Sequence, residues 1–135
     1  MEKVLITVGK TDNGYCAGCD LLPGWVVAVM GGFKELQSEV LGSIEFYIEC
    51  AKNDEEEYPP VFDGEYQLEY KFDVESLLSV YQKIFTKSAL EHLTGINQGQ
   101  LSHYACGRVR PRREQAMKIV KALHDLGDEL KMITV

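Results

Sequence analysis

The side chains best suited to chemistry in this sequence lie close together, between residues 97 and 113. Amide, hydroxyl and imidazole groups occupy the polar side of an amphipathic segment, Gln98–Cys106, whose other side carries Leu101 and Tyr104. Several arginines follow Gly107. Amide side chains can hydrogen-bond to adenine edges, and guanidinium groups bind phosphates. This stretch therefore predicts a nucleic-acid interface.

The candidate contacts of this interface fall into two groups. Side chains on the outer face of the segment are assigned to base edges: Gln98, Gln100, Ser102 and His103. Flanking residues are assigned to phosphates: Asn97, Arg108, Arg110, Arg112 and Arg113. Residues 98–121 contain six Lys and Arg against one Glu, and the resulting net charge of +5 suits a phosphate backbone.

Thiol, metal and nucleophilic chemistry find little support. Cys16 and Cys19 form a C-x-x-C pair, but they fall on a predicted strand, where residues three apart point to opposite faces. Cys50 and Cys106 are expected to be small buried residues. The three histidines lie on predicted helices without a Ser or Cys motif: His92, His103 and His124. We therefore expect no metal and no cofactor.

Three helical segments position the candidate interface. The first, Ser88–Thr94, ends at Gly95, because glycine tolerates the left-handed conformation that terminates helices. Asn97 can cap the second segment, Gln98–Cys106, with its side-chain oxygen. The third has Pro111 in its first turn and an apolar stripe made of Ala116, Ile119, Val120 and Leu123.

A fourth helix is predicted upstream of these three. Asp73 can cap it, and its inward side is expected to consist of Leu77, Leu78, Tyr81, Ile84 and Phe85. Residues 73–135 are therefore expected to form an all-α domain.

The segment LTGINQGQLSHYACGRVRP resembles the helix-turn-helix of phage-repressor proteins. The shared features are a Gly-apolar-Asn turn, a Gln-rich second helix and a Gly-basic-x-basic-Pro exit. In such modules the N-terminal part of the second helix enters the major groove. The resemblance implies that 73–135 is a DNA-binding domain whose partner is operator DNA.

The sequence of the N-terminal half predicts three strands, a helix and a fourth strand. The third strand, Trp25–Met30, is apolar throughout, which predicts burial on both faces. The Asn13-Gly14 pair predicts a hairpin between the first two strands. The sheet is expected to be mostly antiparallel, with the elements Glu2–Val8, Tyr15–Cys19, Trp25–Met30, helix Phe33–Lys52 and strand Glu65–Phe72.

Charge separates the two halves of the chain. Residues 1–72 contain five Lys and Arg against 14 Asp and Glu, a net charge of −9, whereas residues 73–135 carry +2. This asymmetry indicates two partners of different kinds. No apolar run approaches the roughly 20 residues of a membrane span, and the N-terminus lacks the pattern of a signal peptide. We therefore expect a cytoplasmic protein without a membrane partner.

Residues 1–60 resemble the N-terminal domain of HicB-type antitoxins. The shared features are a first strand, a Gly-aromatic second strand, the Leu21-Leu22-Pro23-Gly24 turn, a third strand, a regularly spaced helix and Pro59-Pro60. At Gly31-Gly32-Phe33 the sequence departs from the Gly-Asp-Thr-like helix cap of the family. The resemblance implies an α+β chain: a β-β-β-α-β partial ribonuclease-H-like domain (1–72), then an all-α helix-turn-helix domain (73–135).

The resemblance also implies a partner, a small RNA-cleaving toxin of the HicA type, expected to be basic. An acidic domain is suited to cover such a surface. The candidate toxin-binding residues lie on the outer face of Phe33–Lys52 and in the loop Asn53–Glu57: Glu35, Glu39, Glu45, Glu49, Asp54, Glu55 and Glu56.

Two other functions are weighed against an antitoxin that represses its own operon. One is a stand-alone transcriptional regulator whose N-terminal domain senses a ligand or only dimerises. The other is a degenerate nuclease, but Val4–Val8 contains none of the carboxylates that such an enzyme needs. We therefore expect no enzymatic activity. For DNA binding we expect a homodimer or higher homo-oligomer on an inverted repeat, with contacts at Glu65–Phe72 and the following helix.

Overall fold

The computed structural model describes all residues from Met1 to Val135. The chain has an α+β architecture, with one four-stranded mixed sheet and five α-helices. It divides into two compact units, Met1–Asp73 and Val74–Val135. None of the helices combines the length and the apolar composition that crossing a membrane requires.

The first unit contains the whole sheet and one long helix. Its elements are β1 (Glu2–Lys10), β2 (Gly14–Gly18), β3 (Val26–Met30), α1 (Phe33–Asn53), a 3-10 turn (Pro60–Asp63) and β4 (Tyr66–Phe72). The strand order is β3-β2-β1-β4, so β3 and β4 are the two edges of the sheet.

A tight turn joins β1 to β2, as the Asn13-Gly14 pair predicts. The backbone N–H of Thr11 donates to the carbonyl of Gly14 at 2.9 Å, and Lys10 pairs with Tyr15. Gly14 does not have a positive φ. Glycine is needed there for space, because a Cβ at this position would collide with the carbonyl of Val29.

The sheet is mixed because the chain crosses it before the last strand. β1 pairs with β2, and β2 with β3, in antiparallel fashion, as expected. β4 lies parallel to β1, with Val4 opposite Leu68. A parallel pair needs a long crossover, and α1 lies within the crossover here.

The core of the first unit is formed by one side of the sheet and one side of α1. Buried side chains alternate along β1 at Val4, Ile6 and Val8. Along α1 they recur at helical spacing, at Leu36, Val40, Ile44, Ile48 and Ala51. Gly32 has no side chain with which to cap α1, but the Glu35 carboxylate accepts its N–H at 3.1 Å. This contact satisfies one backbone donor at the start of the helix.

The prediction that the third strand is buried on both faces is wrong. β3 is an edge strand in which Val27 is buried while Val26 and Met30 are 70% and 81% exposed. An unbroken apolar run also occurs in strands that have one covered face, so composition alone misplaces this strand.

The aromatic face of β4 has partners inside the first unit. The Phe33 ring lies 5.1 Å from the rings of both Tyr70 and Phe72, and the Phe62 ring lies 5.1 Å from that of Tyr66. Burial raises the pKa of Tyr70 and of Tyr66, and the charge of Glu45 raises the Tyr66 pKa further. The aromatic rings of β4, the strand at which a dimer contact was expected, thus pack against rings of their own unit.

The C-terminus of α1 is closed by a Schellman motif at an unusual residue. The N–H of Glu56 donates to the carbonyl of Ala51 at 2.9 Å, and that of Glu55 to Lys52 at 3.3 Å. Glu55 has a φ of 56°, a left-handed conformation that glycine normally supplies. Such a conformation costs an L residue roughly 1–2 kcal/mol.

Replacing Glu55 with glycine is therefore expected to stabilise the protein. We expect Glu55→Gly to raise the free energy of unfolding by about 1 kcal/mol, because the strain disappears while the two backbone bonds remain. Urea denaturation measures this change. Glu55→Ala is the matched control, since it removes the same charge but keeps a Cβ. An equal stability of the Gly and Ala variants would contradict the strain at this position.

The second unit is built from four helices: α2 (Val74–Val80), α3 (Lys87–Thr94), α4 (Gln98–Ala105) and α5 (Arg113–Lys131). Gly95 ends α3 in the left-handed conformation, with a φ of 76°, as predicted. The core contains at least one residue from each helix: Val74, Leu78, Leu90, Ile96, Leu101, Tyr104 and Ile119.

Three sequence expectations for the helices and cysteines are wrong. Ile84 is 68% exposed, because α2 ends at Val80 and the residues after it form turns. Pro111 precedes α5 and is not in its first turn, since that helix begins at Arg113. Cys106 is exposed at the end of α4, and Cys50 is half-buried.

Candidate functional site

Two short helices joined by a three-residue turn form the candidate nucleic-acid interface. α3 ends at Gly95, and Ile96 buries its side chain in the core of the second unit. The Asn97 side-chain oxygen accepts the N–H of Gln100 at 2.8 Å and so caps α4, as predicted. Such a cap stabilises a helix by about 1 kcal/mol. The start of α4 is therefore fixed by its own sequence.

A buried hydroxyl also fixes the turn, and this feature was missed at the sequence level. The Thr94 hydroxyl donates to the carbonyl of Leu90 at 2.7 Å and accepts the N–H of Ile96 at 3.1 Å. The hydroxyl therefore bonds back to a carbonyl one turn earlier and also pairs the N–H of Ile96, which lies beyond the end of α3. A Thr immediately before a helix-ending Gly was the available signal.

α4 is anchored on one side and presents polar groups on the other. Leu101 and Tyr104 are buried. Among the predicted base contacts, Gln98 and Ser102 are exposed, and Gln100 and His103 are half-buried. The Gln98 side-chain amide donates to the carboxylate of Glu91 on α3 at 2.9 Å. This contact leaves the carbonyl oxygen and one N–H of the Gln98 amide available to a ligand.

Two residues in the middle of the exposed side were not selected from the sequence. Gly99 and Cys106 are both exposed, and they flank Ser102 along the helix. A Cβ added at Gly99 would meet only the Asn97 side chain, at 3.4 Å. Because Gly99 has no side chain, the backbone of α4 can approach a flat or grooved partner closely at this point.

The predicted phosphate-binding arginines form a free positive cluster. Arg108, Arg110, Arg112 and Arg113 are all exposed, and none forms an ion pair within the chain. The N–H of Arg108 donates to the His103 carbonyl at 3.0 Å, and Gly107 before it is left-handed with a φ of 78°, so the first of these arginines belongs to the turn that ends α4. Lys121 differs, because it donates to Asp125 at 2.7 Å and this hydrogen bond raises the pKa of Lys121.

The acidic residues of α1 lie opposite its buried side. With about 3.6 residues per turn, Glu35, Glu39, Glu45 and Glu49 form one stripe that faces away from the sheet. All four are exposed. Asp54, Glu55 and Glu56 continue the negative charge past the end of the helix. Four of the predicted toxin-binding residues thus share the exposed side of α1, and the other three lie in the turn that follows the helix.

An exposed aromatic ring lies within this acidic stripe and was also missed. Phe46 is 68% exposed, and its position on the helix falls between Glu39 and Glu49. Gly42, one turn earlier, leaves open space beside it. Large exposed aromatic side chains are frequent energetic centres of protein interfaces. The spacing of apolar residues along α1 does not mark Phe46, because that spacing identifies only the buried side of the helix.

The remaining chemical groups form no further cluster. No group of three or more His, Cys, Asp or Glu residues is arranged to hold a metal ion. All four cysteines are free, and Cys19 is buried just past the end of β2. An open groove of about 710 Å³ lies beside β2 and the following turn, with Cys16, Leu22, Trp25 and Val26 among its lining residues.

No protein-family model, curated protein or solved structure matches this chain. Its function is therefore inferred from the local geometry and charge of each unit.

Proposed function

We propose that this chain is a HicB-type antitoxin that acts in the cytoplasm. In this proposal the first unit has the partial ribonuclease-H-like fold of that family and occludes a small, basic, RNA-cleaving toxin of the HicA type. The second unit is a helix-turn-helix DNA-binding domain that represses the operon of the pair. Neither role requires bond chemistry, so the protein is not an enzyme and uses no cofactor.

The observation that carries the DNA-binding role is the combination found at α4. A capped helix is anchored by Leu101 and Tyr104, exposes polar side chains on its other side and is followed by four unpaired arginines. Amides at the start of a helix that enters the major groove can read adenine, and adjacent guanidinium groups can hold the flanking phosphates.

Support for the toxin-binding role comes from the stripe on α1. A basic active site that docks there would meet four carboxylates and the Phe46 ring. Opposite charges at the rim speed association and exclude wrong partners, while a central aromatic residue supplies much of the affinity. Covering an RNA-binding surface in this way blocks RNA access by occlusion alone.

The groove beside β2 supports the alternative of a stand-alone regulator that senses a ligand. Its lining includes the apolar side chains of Leu22, Trp25 and Val26, and its volume falls within the range of small-molecule sites. The groove is open, however, whereas ligand pockets enclose most of their ligand. Operator binding that changes with a small metabolite and without a protein partner would favour this alternative.

The base-reading role of α4 is tested by substitution of its amides. We expect Gln98→Ala or Gln100→Ala to lower operator affinity by about 1–3 kcal/mol and to relax sequence preference at one position per half-site. Binding to a randomised DNA library measures both effects. Gln37→Ala, on α1, is the control. If both α4 variants kept the affinity and the sequence preference of the wild type, α4 would not be the reading helix.

A further inference from the structure

The two edges of the sheet differ in how they are protected from other chains. β4 carries charged residues on its solvent face, and Glu69 pairs with Lys3 at 2.9 Å. β3 has the sequence VVAVM and carries no charge. Exposed edge strands in proteins are usually protected by charges, proline or bulges that discourage pairing with another strand. β3 has none of these.

The outer side of β3 is also free and apolar. β2 pairs with all five residues of β3 on one side, and no strand lies on the other. The backbone groups that point away from β2 are therefore available to another strand. On the face of the sheet opposite the core, Val26 is 70% and Met30 81% exposed, and Ala28 between them is exposed as well.

We propose that β3 pairs antiparallel with β3 of a second copy of this chain, about a two-fold axis at Ala28. In this register Val26 of each copy lies opposite Met30 of the other, Val27 lies opposite Val29, and Ala28 lies opposite itself. Every cross-strand pair is apolar, and the same patch serves both copies, as a two-fold interface requires. The two sheets become one sheet of eight strands.

A second copy suits this edge better than other occupants do. The equivalent pairing through β4, centred on Glu69, would place two like charges opposite each other. A basic partner would find no carboxylate on β3 itself. The inference deepens the proposed function and rests on it for its biological use, because a repressor on an inverted repeat needs a second copy.

The register can be tested by charge reversal and rescue in the full chain. Sedimentation velocity without DNA or other protein gives the mass of the wild type and of four variants: Val26→Glu, Met30→Lys, the double variant Val26→Glu/Met30→Lys, and Gln67→Lys on β4. The substituted side chains are exposed, so none of the changes removes a buried contact. Urea denaturation confirms that each variant is folded.

We expect the wild type to approach twice its chain mass of 15.2 kDa at micromolar concentrations, and Gln67→Lys to behave alike. Val26→Glu and Met30→Lys should each weaken dimerisation at least tenfold, because one unpaired charge is buried at each end of the strand pair. The double variant should recover the dimer, because the introduced carboxylate of each copy then lies opposite the introduced ammonium group of the other.

Each contrary result overturns the pairing. If the wild type were monomeric, β3 would not pair with a second copy, and its open edge would remain available to a strand of a different protein. Single variants that remain dimeric would place the contact elsewhere, and a double variant that stays monomeric would exclude the register. Operator binding is measured in parallel. A dimer with the predicted rescue but without operator binding would refute the proposed function and leave the interface standing.

Discussion

Replacing Arg108, Arg110 and Arg112 with glutamine is expected to weaken binding to every DNA sequence by roughly 100-fold. Each arginine is exposed, lies beyond α4 and has no ion-pair partner that would compete with a phosphate. At about 1 kcal/mol for each exposed contact, three lost contacts account for the loss of affinity. Because about 0.9 ions are released per neutralised phosphate, the slope of log affinity against log salt should become shallower by about 3.

The control for this result is a triple variant that removes the same charge elsewhere in the second unit. Lys83, Lys87 and Lys131 lie outside the interface and can be changed to glutamine together. We expect the DNA affinity of this control to fall by less than about tenfold, compared with roughly 100-fold for the arginine variant. Equal losses would mean that total charge, and not the position of the arginines, governs DNA binding. Unchanged binding in the arginine variant would remove them from the interface.

Reversing Glu39, Glu45 and Glu49 to lysine is expected to abolish toxin neutralisation. The three side chains are exposed on the solvent side of α1, so the helix and its buried stripe should persist. A basic toxin would then meet like charges, which cost several kcal/mol when they face one another, and its affinity should fall by on the order of 100-fold or more. Titration of the purified toxin by calorimetry measures this change.

Two control variants distinguish the effect of where the carboxylates lie from the effect of the total charge on toxin binding. Reversing Glu2, Asp12 and Asp20 to lysine makes the same change in net charge away from α1 and should leave binding within a few-fold of the wild type. Phe46→Ala keeps every charge and should cost about 2 kcal/mol if the ring is an anchor. If both reversal variants lost the same toxin affinity, the toxin would be attracted by the net charge of the unit and not by a defined surface on α1. Full toxin binding by the Glu39, Glu45 and Glu49 variant would move the contact off α1.

Local signals in the sequence predict much of the second unit. Gly95 and Asn97 act through their own backbone and the next turn, and both behave as expected. The spacing of Leu101 and Tyr104 likewise identifies the buried side of α4. The expected inward position of Ile84 fails because nothing in its immediate sequence marks the end of α2 at Val80.

The arrangement of the sheet depends on contacts between distant residues and was harder to infer. Hydrophobic composition identifies β3 as a strand but does not distinguish a central strand from an edge strand. The parallel pairing of Val4 with Leu68 spans most of the first unit. Glu55 in a left-handed conformation is invisible to patterns that expect glycine. Phe46 became a candidate only when its exposure was known.

Toxin binding and operator binding should be separable by dividing the chain at the boundary between the two units. Each unit has its own buried core, so a fragment that ends at Asp73 and one that begins at Val74 should each fold. The first fragment should neutralise the toxin without repressing the operon. The second should bind operator weakly and give no protection from the toxin.

Growth of cells that co-express the chain with the protein encoded by the adjacent reading frame tests the central claim most directly. That frame should encode a small basic protein that arrests growth. The full chain and the fragment ending at Asp73 should both restore growth, while only the full chain silences an operator reporter. Arrest that is relieved by the Val74–Val135 fragment alone, or by neither fragment nor the full chain, would contradict the account.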